Sequence, residues 1–142
     1  MGRLENILVT PLNTITHPKG NVYHGMKRSD PGFMGFGEAY FSTVLQGETK
    51  GWNKHKRMTL NLIVPTGKVL FIFYDDEDQD KIYKRIVLST DDYSRITLPP
   101  NIWMAFKGLG SGLNLILNIG DMEHDPGEIT RKELSEIPMP HE

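Results

Sequence analysis

The densest cluster of groups able to do chemistry is Lys50-Gly51-Trp52-Asn53-Lys54-His55-Lys56-Arg57, where one imidazole sits among four cations. A nearby cation lowers the pKa of a histidine, and a neutral imidazole is the form a general base must take. The same cluster of cations and amphipathic donors suits a diphosphate. A solvated loop carrying positive charge has the same composition, so both readings stand at this point. A second segment, Leu98-Pro99-Pro100-Asn101-Ile102-Trp103-Met104-Ala105-Phe106, has prolines that fix an extended entry. Trp103 and Phe106 follow as a stacking surface or as core. A third, Lys19-Gly20-Asn21-Val22-Tyr23-His24, reads locally as a simple turn after His17-Pro18.

The remaining histidines and carboxylates carry less. His17, His24 and His141 have no partner by spacing, and Glu123-His124-Asp125 before Pro126-Gly127 reads as a surface turn sooner than a metal site. The acidic run 75–80 lacks the glycine and terminal glutamate of a calcium loop and reads as a solvated hairpin. The chain has no cysteine, which removes thiol nucleophiles, disulfides and Cys-containing zinc motifs together. A net charge of −2 gives no global field to gather nucleic acid or an anionic membrane, and no window approaches the length of a membrane span. These features predict a cytoplasmic protein without nucleic-acid or membrane partners.

These candidates must be held by a mostly β chain. The 142 residues predict one domain over 1–142, with scattered prolines and glycines marking turns between short elements. Strands are predicted over 7–12, 36–45, 58–64, 69–74, 82–88, 95–98 and 113–119, rich in Val, Ile, Leu, Phe and Tyr. Pro65-Thr66-Gly67 reads as a tight hairpin joining two of them. Thr130-Arg131-Lys132-Glu133 fits a capping box opening one short helix that Pro138 stops. Alternation puts Met58, Leu60, Leu62 and Val64 on one face and Thr59, Asn61 and Ile63 on the other, and similarly sets Asn114, Ile116 and Asn118 apart from the neighbouring leucines. Asparagines flanked by apolar residues fit a partly polar interior pocket, or an exposed edge strand.

Together the first two segments resemble the sugar-modifying cupins related to dTDP-4-dehydrorhamnose 3,5-epimerase and the dTDP-sugar 3,4-ketoisomerases, over roughly residues 10–125. Lys50-Gly51-Trp52-Asn53-Lys54-His55-Lys56 stands where the ketoisomerases carry Arg-Gly-x-His-x-His-Lys. Pro99-Pro100-Asn101-Ile102-Trp103-Met104 stands where both groups open a strand with Pro-Pro-Gly-x-x-His, and Lys19 to His24 falls near their Arg-Gly-Phe-Phe-x-Glu nucleotide segment. The resemblance implies an all-β cupin jelly-roll barrel, here with one short C-terminal helix, forming a homodimer. It implies a role in epimerising or isomerising beside the ketone of an NDP-4-keto-6-deoxyhexose for surface polysaccharide of the O-antigen type, with no metal and no cofactor.

The departures narrow that chemistry. The first histidine of the pattern is Asn53, and an amide abstracts no proton; the histidine of the Pro-Pro pattern is Met104. The epimerases' tyrosine has no counterpart in 113–119. His55 is thus the surviving proton-transfer residue, with Tyr40 as replacement acid, and the implied substrate-binding set is Lys19, Tyr23, Lys50, Asn53, Arg57, Asn61, Trp103 and Asn118. A catalytically inactive nucleotide-sugar-binding protein is the alternative that these losses keep open.

Overall fold

In the computed structural model, residues 3–77 and 82–140 are described. The strands are β1 (Leu8–Pro11), β2 (Thr14–Ile15), β3 (Val22–Tyr23), β4 (Glu38–Thr43), β5 (Thr49–His55), β6 (Leu60–Thr66), β7 (Lys68–Tyr74), β8 (Tyr83–Ser89), β9 (Ser94–Leu98), β10 (Trp103–Gly108), β11 (Leu115–Gly120) and β12 (Ile129–Arg131). They form a five-stranded sheet A ordered β1-β9-β6-β11-β4, a five-stranded sheet B ordered β12-β5-β10-β7-β8, and a separate β2-β3 pair. The neighbours are antiparallel throughout.

Between the two large sheets lies one apolar core. Leu60, Leu62 and Val64 of β6, Ile96 and Leu98 of β9 and Ile116 of β11 meet Val69, Phe71 and Phe73 of β7 and Met104 and Phe106 of β10. Sheet B is covered on its other face as well, where Trp52, Leu70, Ile72, Trp103 and Ala105 pack against Ile137, with Leu134 and Met139 alongside. That double burial explains why β7 reads Val-Leu-Phe-Ile-Phe without polar alternation.

Three expectations are corrected. The jelly-roll barrel is not closed: the described residues form two separate sheets packed face to face, with an isolated bridge from Gln46 to Gly108 between strand ends. The turn Pro65-Thr66-Gly67 is not a hairpin, because β6 belongs to sheet A and β7 to sheet B, so this tight connection carries the chain from one layer to the other. The C-terminal helix is absent. Thr130 lies in β12, and Trp52 and Lys132 exchange backbone hydrogen bonds of 2.9 and 3.0 Å, so pairing with β5 claims the backbone groups a helix would need. Only a 3-10 turn, Leu134–Glu136, remains, with the capping box moved to Glu133 and Glu136.

The acidic run is also more structured at its start than a solvated hairpin. Asp75 is buried and held by Arg3, and Asp76 accepts from Trp103 Nε1 at 2.8 Å and Lys54 Nζ at 3.1 Å. Residues 78–80 of that run, like His141, lie outside the described residues.

Candidate functional site

The strand β5 holds the cationic cluster, and a bulge in it decides which side chains face the core. Met104 lies opposite Asn53 and Phe106 opposite Lys50, so an extra residue is accommodated against Ala105. Gly51 is required there, because a Cβ would stand 2.7 Å from the Ala105 Cβ. Met104 and Phe106 belong to the core between the sheets. Lys50, Asn53 and, by alternation, His55 therefore point to that inner side, while Trp52 and Lys54 point outward.

On sheet A the matching inner positions come from β4 and β11. Asn118 lies opposite both Tyr40 and Leu62, and Leu62 belongs to the inter-sheet core, so Tyr40 and Asn118 share the inner face. Asn118 Nδ2 donates to Ser42 Oγ at 3.0 Å and to the Tyr40 carbonyl at 3.3 Å. Lys50 Nζ donates to the Thr43 carbonyl at 2.7 Å, which joins the start of β5 to the end of β4. Burial, with Glu38 beside it, pushes the Tyr40 phenol above its ordinary pKa, so it stays protonated and able to donate.

At the other end His55 Nδ1 is hydrogen-bonded to Glu128, a carboxylate almost wholly shielded from solvent. Glu128 also accepts from the backbone N–H of Arg57 at 3.1 Å and of Met58 at 3.2 Å. Burial alone would raise its pKa, but His55 and these two N–H groups outweigh burial and hold the carboxyl below the usual range. An ionised Glu128 favours the proton on Nδ1 and so presents Nε2 as a lone pair. No described residue hydrogen-bonds Nε2. The His55 carbonyl accepts from the Asn101 N–H at 2.7 Å, and Asn101 has φ 70°, the left-handed region for which the family pattern has glycine. Such a backbone suits asparagine better than most residues.

The other expected binding residues lie elsewhere. Asn61 lies on the opposite face of sheet A, where it bridges Arg95, Thr97 and the Gly32 carbonyl beneath the segment 24–33. Trp103 is buried on the outer face of sheet B, with the ammonium groups of Lys54 and Lys132 each 5.0 Å from its ring. Lys19 is exposed in a turn, and Tyr23 packs edge-on against Tyr93 at 5.5 Å. Arg57 follows β5 and pairs with Asp125 at 3.0 Å. The inner sides of the two sheets thus carry His55, Asn53 and Lys50 on β5 and Tyr40 and Asn118 on β4 and β11, with Arg57 directly after β5, whereas Asn61 and Trp103 lie on outer faces and Lys19 and Tyr23 lie outside the two sheets. Glu128 is the group that sequence reading missed. Its signal was faint: a glutamate after the turn Asp125-Pro126-Gly127, directly before β12, whose first residue Ile129 lies opposite His55.

The two-sheet frame is that of the cupin-fold class of sugar-modifying proteins, to which comparison with solved structures assigns the chain. It is similar to a dTDP sugar isomerase from Desulfovibrio desulfuricans G20, with 30% identity, a TM-score of 0.89, and coverage of 96% of this chain and 90% of that one. The chain belongs to the family of dTDP-sugar isomerases and epimerases. The fold is shared more distantly with the 3,4-ketoisomerase QdtA from Thermoanaerobacterium thermosaccharolyticum, a variant of which was solved with TDP-4-keto-6-deoxyglucose (20% identity, TM-score 0.75, covering 89% of this chain and 88% of that one). It is shared too with ChmJ, a 3'-monoepimerase from Streptomyces bikiniensis solved with dTDP-quinovose (10% identity, TM-score 0.77, covering 88% and 68%). No family model and no curated protein sequence matches the chain. No helix among the described residues is long and apolar enough to cross a membrane.

Proposed function

We propose that this protein is a nucleotide-sugar epimerase or isomerase that acts beside the ketone of an NDP-4-keto-6-deoxyhexose, in the making of surface polysaccharide. The observation that carries this reading is the His55–Glu128 pair at the inner end of β5, with Nε2 left without a partner among the described residues. A C–H next to a ketone is acidic, so one base can remove the proton if the resulting enolate is stabilised. His55 Nε2 is the base. Glu128 does not touch substrate; it fixes the tautomer and steadies the imidazolium that forms. Asn53 carries an amide donor suited to the enolate oxygen, Asn118 holds the Tyr40 strand through its own amide, and the protonated Tyr40 on the facing sheet is the acid that returns a proton.

The test is incubation with dTDP- and CDP-4-keto-6-deoxyglucose in heavy water, read by NMR of the ring. The wild-type chain should place deuterium next to the ketone, and His55→Asn should lower that rate by about 10³-fold while retaining the nucleotide sugar. Glu128→Gln should lower turnover by about 10²-fold and change the pH profile, which a merely structural loss would not do. The second reading, binding without catalysis, is favoured by Asn53 and Met104 standing where the family patterns have histidines. It predicts binding without exchange, and that outcome would refute the enzyme reading.

A further inference from the structure

We propose that Trp52 is a positioning residue: its indole, tied to the C-terminal segment, fixes the bulge in β5 that turns Asn53 and His55 toward the inner side of sheet B. For its effect on turnover this inference rests on the enzyme reading above.

The bulge decides the faces of β5. Lys50 lies opposite Phe106 and Asn53 opposite Met104, so three steps along β5 answer two along β10. In an unbroken strand Lys50, Trp52 and Lys54 would share one side, and Asn53 and His55 the other. The extra residue at Gly51-Trp52 reverses that order, and leaves Lys50, Asn53 and His55 on the inner side with Trp52 on the outer. A slip of one residue would undo it and turn the imidazole to the outer face.

Hydrophobicity does not choose between the two arrangements, because sheet B has apolar cover on both faces and either accepts an aromatic ring. The indole N–H does choose. Trp52 is wholly buried, and a buried donor needs an acceptor. Its Nε1 donates to the Ile137 carbonyl at 3.1 Å, on the outer side. The same segment holds its backbone: the Trp52 N–H donates to the Lys132 carbonyl at 2.9 Å, and the Lys132 N–H to the Trp52 carbonyl at 3.0 Å. Pairing with β10 is irregular at this point, so β12 and the chain after it supply the register that β10 does not. Gly51 makes room for them, since a Cβ there would stand 2.8 Å from Leu134 Cδ2. Farther along, Tyr83 Oη donates to the Pro138 carbonyl at 2.7 Å and seats the segment on β8, the opposite edge of sheet B.

The experiment compares the full chain with three variants. Trp52→Phe keeps a ring without the N–H, and Gly51→Ala crowds the same bulge with the indole left in place. Tyr83→Phe also removes one hydrogen bond to the C-terminal segment, but far from β5. Each is read by deuterium exchange into dTDP- and CDP-4-keto-6-deoxyglucose and by nitrogen-15 NMR of the His55 imidazole, assigned by its absence in His55→Asn. Trp52→Phe and Gly51→Ala should lower kcat by about tenfold with little change in KM, and should give the imidazole a second environment. Tyr83→Phe should do neither. Wild-type kcat and a single unshifted imidazole signal in Trp52→Phe, or in Gly51→Ala should Trp52→Phe not fold, overturn the proposal. So does an equal loss in Tyr83→Phe, which would report a general loosening of the sheet. Absence of exchange in the wild-type chain refutes the enzyme reading, and the imidazole spectra then decide the positioning role by the same criterion.

Discussion

Arg95 and His55 are both polar side chains set into an apolar sandwich, and they are treated in opposite ways. Arg95 is completely buried on the outer face of sheet A, and each nitrogen of its guanidinium is used. Nε donates to Asn61 at 3.2 Å, Nη1 to the Gly25 carbonyl at 2.9 Å and to Asp30 at 3.4 Å, and Nη2 to the Pro31 carbonyl at 2.7 Å. His55 uses Nδ1 alone, and Nε2 has no hydrogen-bond partner among the described residues. A buried polar group with every valence satisfied inside the chain is a fastener. One with a valence left over is a reagent. The first ties segment 24–33 to the sheet; the second is where a substrate is to be met.

The largest test of this contrast is Arg95→Ala. It would strand Asp30, Asn61 and two carbonyls under the segment they now hold, and removing one partner of a buried charge pair costs about 3–5 kcal/mol. Urea unfolding should show that loss. If Arg95 were instead a substrate ligand, stability would hold and nucleotide binding would fall.

A smaller effect comes from a third polar cluster, fully paired like the first. The Arg3 guanidinium, with the backbone N–H groups of Glu77 and Arg3, outweighs burial and lowers the Asp75 carboxyl to about 2. Because the folded value lies below the unfolded one, the pair contributes its full stability above the ordinary aspartate range, and loses it as pH falls through about 2. The contribution is about 2 kcal/mol. Stability measured by urea from pH 6 downward should fall below about pH 4, and Asp75→Asn should flatten that acid limb. An unchanged limb would mean that Asp75 is not a fastener.

How far the sequence discloses these two kinds of site depends on the range of the contacts. Strands β6, β7, β8 and β9 announce themselves as β-branched and aromatic runs, and Asn53 and Met104, which stand where the family patterns have histidines, lie opposite each other on β5 and β10. Which sheet a strand joins is not written locally. Nothing in Pro65-Thr66-Gly67 distinguishes a hairpin from a crossing between layers, and the capping pattern at Thr130 yields to pairing with a strand far away in sequence. Asn61 and Asn118 show the limit of alternation most clearly. Each is flanked by apolar residues, yet Asn118 lies on the inner face of sheet A and Asn61 beneath segment 24–33, because both faces of sheet A are covered there. Alternation divides a strand into two sets and does not say which set is inside. Glu128 is 73 residues from His55, and no spacing rule joins them.

The smallest test lies where backbone strain reaches the reagent. Asn101 sits at φ 70°, and its N–H donates to the His55 carbonyl. A side chain with a Cβ but no local hydrogen-bonding group resists that conformation, so Asn101→Ala should cost about 1 kcal/mol, whereas Asn101→Gly, which the family pattern favours, should be near neutral. If the turn serves only the fold, the two variants differ in stability and turn over substrate alike. If it also sets the height of His55 in the cleft, the alanine variant loses kcat with little change in KM and the glycine variant does not. The hydrogen bond at 2.7 Å favours the second result, because any relaxation of φ at residue 101 must move the carbonyl of the residue that carries the base.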